Sequence, residues 1–211
     1  LERHYGPAAT PVSSAFAFVV LEQIGYLTDD GKRAAAFSAL AERVGIDPAA
    51  IAGAPHATLS KIASLGGIYG AERAERLKRS AALVLERCDG DLDSALRTLP
   101  LTQARRLARG FDSFGAANAE TLLLFAGVAV AALDSNGVRV AARFAFGGES
   151  GRYAADHRRA CDFVGSGDAR DHGFLMRAYL AFRRHGKTVC RRSGPACATC
   201  PLASECSFIQ R

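Results

Sequence analysis

The chain has 211 residues, 49% of them apolar and 23% charged, with a formal net charge of +6. That is ample material for one large core or two small ones. The most apolar run, residues 122–133, is too short to cross a bilayer, so no membrane partner is expected. Excess basic charge favours a polyanion, DNA first among them, although a merely soluble arginine-rich protein shows the same balance. The opening residues Leu1-Glu2-Arg3-His4 carry no signal pattern, and a reducing cytoplasmic compartment is expected.

Taken in order, residues 1–14 read as an extended or short-helical lead-in with Gly6, Pro7 and Pro11. Residues 15–26 are almost all apolar, which predicts a helix buried on most sides. Residues 31–44 place Ala36, Leu40 and Val44 at helical spacing, with Asp29 and Asp30 as candidate caps. Asp47-Pro48 pairs an N-cap with a proline at the first helical position, opening a short helix through Ala52. Further helices are predicted over 58–65, 72–88, 92–99, 102–108, 116–126, 135–144, 152–163 and 169–184. No stretch alternates with period two over a convincing length. The expected class is therefore all-α, with many short helices and tight turns.

Cys190, Cys197, Cys200 and Cys206 lie within seventeen residues at spacing C-x6-C-x2-C-x5-C, while Cys88 and Cys161 stand alone. Four clustered thiolates are soft ligands and point to zinc or an iron–sulfur cluster. Disulfides, the alternative, belong to small secreted domains. Structural zinc sites usually pair two short knuckles, and only Cys197 and Cys200 are knuckle-like here. The wider outer spacings suit a larger object than one ion. Gly194, Pro195 and Pro201 bend the loop.

The middle of the chain holds a second constellation. A short helix, the segment Phe111-Asp112-Ser113-Phe114-Gly115 and a second helix read as a helix–hairpin–helix, whose turn offers backbone N–H groups to phosphate. Asp134 then opens the next helix, either as a cap or as a functional carboxylate. The hairpin, Leu133-Asp134 with Val138, Arg139 and Val140, His185-Gly186 before Cys190, Gly67-Ile68-Tyr69 with Arg73-Ala74, and the cysteine spacing together resemble the endonuclease III (HhH-GPD) superfamily of DNA glycosylases.

That resemblance implies a two-lobed all-α fold with DNA in the groove between the lobes. Residues 15–128 would form a helical bundle carrying the hairpin at about 101–127, and residues 1–14 with 129–211 the second lobe. It implies a [4Fe-4S] cluster on Cys190, Cys197, Cys200 and Cys206, Asp134 as the catalytic carboxylate, and Gln23 filling the gap left by an extruded base. The expected partner is double-stranded DNA with a damaged or mismatched base, bound by a monomer. Gly115 would seat a phosphate; Arg105 and Arg106 before the hairpin, and Lys187, Arg191 and Arg192 beside the cysteine loop, are the cationic candidates.

Several positions depart from the family's pattern. Ala117 stands where lyase-competent members carry a nucleophilic lysine, which implies a monofunctional glycosylase with water as nucleophile. Phe18 stands at the acidic glutamate of the adenine-removing branch. Ser113 replaces the first hairpin glycine, and Asp112 brings a negative charge towards the expected phosphate. These changes keep a second reading open, a catalytically silent relative that binds bent or damaged duplex. A zinc-bearing helical interaction domain is a third.

Overall fold

The computed structural model describes residues 1–25, 28–167 and 171–210. The described residues form twelve α-helices and no strand, as the absence of period-two patterning predicts. The expected helix ends at Tyr26 and Ala169 lie outside the described residues. The chain divides into two compact units, residues 11–115 and residues 1–10 with 116–211.

The unit of residues 11–115 is a bundle of seven helices. After α1 (Glu2–Tyr5), which belongs to the other unit, come α2 (Ala15–Ile24), α3 (Asp30–Arg43), α4 (Pro48–Gly53), α5 (His56–Leu65), α6 (Gly70–Cys88), α7 (Leu92–Thr98) and α8 (Leu101–Ala108). Helix α6 is the spine. Its Ala74, Leu77, Ala81, Val84 and Cys88 recur at alternating three- and four-residue steps and are buried. Against it pack Leu59 and Ile62 of α5, Ile51 of α4 and the all-apolar body of α2. Each fully buried leucine or isoleucine contributes about 1.5–3 kcal/mol relative to exposure. The helices start where short polar side chains cap them: Ser14, Asp29, Asp47 and Asp91 each accept a bond from a backbone N–H three residues on.

The second unit holds α1, α9 (Ala116–Phe125), α10 (Ser135–Phe146), α11 (Tyr153–Gly165) and α12 (His172–Thr188), followed by two single 3-10 turns at Cys197–Thr199 and Ala203–Glu205. Helix α10 packs against α12 and α11, and α9 rests on α12, where His172 Nε2 bonds the Leu124 carbonyl at 2.8 Å. The division thus falls at 115 and sends α9 to the second unit, whereas the sequence boundary was expected at 128. The reason is compositional. Leu122, Leu123 and Leu124 are all fully buried, so α9 has no single apolar face from which its partner could be read. Helix α12 also runs on to Thr188, four residues beyond the expected end at 184.

Candidate active site and metal centre

Asp134 is set by the segment that delivers it. After the glycine turn at Gly127 the chain runs without helix through Val130, Ala132 and Leu133, all buried, to the cap position of α10. Asp134 Oδ1 accepts from the Gly137 N–H at 2.8 Å, so the residue does cap its helix. Its Oδ2 accepts from Arg183 Nη1 of α12 at 2.7 Å and from Asn136 Nδ2 at 3.2 Å. The carboxylate remains 18% exposed, so it is both anchored and reachable.

Around it lie further ionisable groups. Burial, then the Asp134 charge, raises the Tyr153 phenol above its ordinary value. Burial lowers His157 despite the Glu120 carboxylate, and burial pushes the Cys161 thiol up to about 12. Cys161 Sγ sits 3.7 Å from His157 Nε2. Ala117 is half-buried on the first turn of α9, and Thr121 donates to its carbonyl. Arg183, Tyr153 and His157 were not singled out from sequence. Their signal, a polar stripe at Tyr153, His157 and Cys161, has the spacing of an ordinary helix face.

Gln23 lies in the interior of the unit of residues 11–115. It is 3% exposed, donates to the Asp112 carbonyl and accepts from Ser80 Oγ at 2.9 Å. An amide on an apolar helix must find partners inside, and these two tie α2 and α6 to the hairpin segment. Among the described residues of this unit, Ile68 and Tyr69 are the most exposed large apolar side chains, at 70% and 66%, ahead of Leu65, Leu101 and Leu85. Tyr69 adopts a left-handed conformation at the start of α6, beside a concave surface that Lys32, Arg73 and Arg76 also line.

The hairpin segment keeps its turn without its first glycine. Ser113 has φ +69°, and the Phe114 N–H bonds the Phe111 carbonyl at 3.1 Å. Phe111 and Phe114 anchor it in the core, the latter edge-on to Phe18. Gly115 is exposed, and a Cβ there would meet nothing. The Asp112 charge, expected to repel phosphate, is met by Arg79, whose Nε donates at 2.9 Å. Arg106 is exposed and Arg105 half-buried on α8.

The four C-terminal cysteines line one small apolar pocket, together with Val140, Phe144, Leu202 and Phe208. All six cysteines of the chain are free thiols. Among the described residues, no three Cys, His, Asp or Glu side chains close on a single ion. Burial, and then the neighbouring cysteines, raise the Cys200 thiol, and the Leu202 N–H donates to its sulfur at 3.4 Å. Four thiolates around an apolar cavity repel unless cations lie among them, so this donor set fits a multinuclear iron–sulfur group. Two arginines of α10 hold the loop. Arg139, 4% exposed, donates to the Cys190 and Gly186 carbonyls at 2.9 and 2.7 Å. Arg143 donates to the Arg191 and Arg192 carbonyls and lies 3.6 Å from Cys190 Sγ. His185, fully buried, bridges Tyr5 Oη at 2.7 Å and Cys200 Sγ at 3.5 Å. Lys187, Arg191 and Arg192 are exposed at the end of α12 and on the loop.

No model of a known protein family matches the sequence, and no curated protein matches it. Solved structures do. A thermostable thymine-DNA glycosylase superposes with a TM-score of 0.75 at 21% identity, over 95% of this chain and 86% of that one. Endonuclease III in a non-covalent complex with DNA gives 0.76 at 16% identity, over 99% and 91%. The H. pylori 3-methyladenine DNA glycosylase bound to 1,N6-ethenoadenine gives 0.61 at 14%, over 84% of each chain. The chain has the all-α fold of the helix–hairpin–helix DNA glycosylases.

Proposed function

We propose that this protein is a DNA glycosylase of base excision repair that hydrolyses the N-glycosidic bond of an extruded base and lacks the lysine-dependent lyase step. The observation that carries the reading is Asp134: a half-buried carboxylate, fixed by its own helix N-terminus and by Arg183, on a fold shared with glycosylases. Breaking the bond builds positive charge on the deoxyribose, and a preorganised carboxylate stabilises that charge without reorganising. Asn136 and Arg183 hold its second oxygen and fix its direction. Ala117 offers no amine for a Schiff base, which leaves water as the nucleophile.

Cys190, Cys197, Cys200 and Cys206 would hold a [4Fe-4S] cluster. Its contribution when bound is to fix the loop; no redox turnover is assigned to it. Arg139 and Arg143 brace the backbone on which Arg191 and Arg192 stand, so these cations meet a duplex from a rigid base. Exposed Ile68 and Tyr69, beside Lys32 and Arg76, have the character of an apolar wedge within a basic rim. The partner is double-stranded DNA carrying an altered or mismatched base.

One observation favours a second reading, a silent DNA-binding relative: the Asp134 charge is already paired with Arg183. Asp134→Asn separates the two. Asparagine still caps α10, so duplex binding and the melting temperature should hold while abasic-site formation on lesion-bearing duplexes falls by two or more orders of magnitude, about 2.7 kcal/mol or more. Unchanged base release would assign the activity elsewhere.

A further inference from the structure

We propose that Tyr5 orients the His185 ring so that its Nε2–H donates to the Cys200 sulfur, and that this pair of residues raises the reduction potential of the iron–sulfur group. The inference rests on the cluster reading above and is independent of which base is removed. His185 is 1% exposed near the end of α12, with Tyr5 Oη 2.7 Å from its Nδ1 and Cys200 Sγ 3.5 Å from its Nε2. Both ring nitrogens are therefore engaged inside the protein.

The chemistry of the sulfur decides where the ring hydrogen sits. In a neutral imidazole one nitrogen donates and the other accepts, and full burial disfavours the charged ring. A thiolate bound to iron carries no proton and can only accept. A bare Nε2 would set one lone pair against another at 3.5 Å, so the hydrogen belongs on Nε2. Nδ1 is then the acceptor, and the Tyr5 hydroxyl must be its donor. The other acceptor within reach of that hydroxyl, Thr188 Oγ1, lies farther away at 3.4 Å.

Tyr5 is itself held by α12. Helix α1 is four residues long and buries none of them, so it has little stability of its own. Arg184 Nη1 donates to the Tyr5 carbonyl at 3.0 Å, and its guanidinium lies 4.6 Å from the centre of the phenol ring. Arg177 Nε pairs with Glu2 at 3.5 Å one turn earlier. These contacts aim the phenol at His185. The Cys200 sulfur also accepts from the Leu202 N–H at 3.4 Å. Each donor draws negative charge from the sulfur, which favours the reduced form of an iron–sulfur group and raises its potential.

The test is voltammetry on the purified holoprotein, with iron content measured first. Protein without iron overturns the cofactor reading itself. With iron present, His185→Leu should shift the couple about tenfold towards the oxidised form, a fall of about 59 mV for one electron. His185→Gln, whose amide restores an N–H donor, should stay within about threefold of the wild-type ratio. Tyr5→Phe keeps the ring and its arginine neighbour, loses only the hydroxyl, and should fall between the two. A His185→Leu potential equal to that of the wild type, at full iron content, overturns the hydrogen bond. A Tyr5→Phe potential equal to that of the wild type overturns the role of Tyr5. Where a His185 variant does not hold iron, the reduced wild-type cluster decides by pulsed electron spin resonance with isotope-labelled histidine nitrogen. Coupling to one ring nitrogen is expected, and its absence overturns the donor.

Discussion

Ser113 turns the chain at φ +69°, a conformation that costs a residue with a Cβ about 1–2 kcal/mol and glycine almost nothing. The hairpin survives the loss of its glycine because Phe111 and Phe114 are buried on either side and hold the turn closed. Ser113→Gly should therefore stabilise the protein by about 1 kcal/mol, read as a raised urea midpoint with an unchanged slope. Asp112 shows the same principle in charge. By sequence it is a repulsive group at the hairpin; in place it is paired with Arg79, so its field at a bound phosphate is largely cancelled. Arg79→Met should weaken duplex binding by uncovering that charge, and more so at low salt, measured as Kd across ionic strength.

At the scale of elements, α10 connects the two functional features. Its first residues carry the Asp134 cap, and Arg139 and Arg143 on its later turns grip the cysteine loop. Close approach to α12 makes this possible. A Cβ on Gly186 would stand 2.7 Å from the Asn136 carbonyl oxygen, so Gly186→Ala should force the helices apart and cost about 1–3 kcal/mol in a urea titration. Two groups of α11 make stability pH-sensitive on both sides. His157 is lowered by burial, so its share of stability is present above the unfolded value near 6.5 and is lost as pH falls below it. Cys161 is pushed up to about 12, so its share is complete below the unfolded thiol value near 8.5 and is lost as pH rises towards 12. The urea midpoint should peak between these limits, His157→Gln should flatten the acid limb, and Cys161→Ala the alkaline one.

For the whole molecule, the cysteine loop follows the end of α12 and is packed on α10, with the Ser207 N–H bonded to the Phe144 carbonyl. Four thiolates around one apolar pocket repel one another unless metal cations lie among them. The purified protein should be yellow-brown, absorb broadly near the violet edge of the visible, and contain about four irons per chain by elemental analysis. One zinc and no iron would overturn the cofactor reading. Stripping the metal should lower the melting temperature and weaken duplex binding together, because Arg191 and Arg192 stand on that loop.

The sequence by itself determined the helical class and most helix positions, because capping residues and apolar periodicity are local signals that neighbours rarely overrule: Asp47-Pro48 starts α4 and the apolar stripe of α6 ends at Cys88 as read. It also placed four cysteines within seventeen residues, with Gly194, Pro195 and Pro201 to bend the loop between them. Only tertiary structure decided the rest. Gln23 is buried because Ser80 and Asp112, distant in sequence, complete its hydrogen bonds. Helix α9 joins the second unit because α12 happens to offer it a surface. The electrostatic state of Asp134 depends on Arg183, forty-nine residues away, and no spacing rule predicts a charge pair at that separation. Local patterns fix elements and ligand spacing; long-range contacts fix which side chains are free to act.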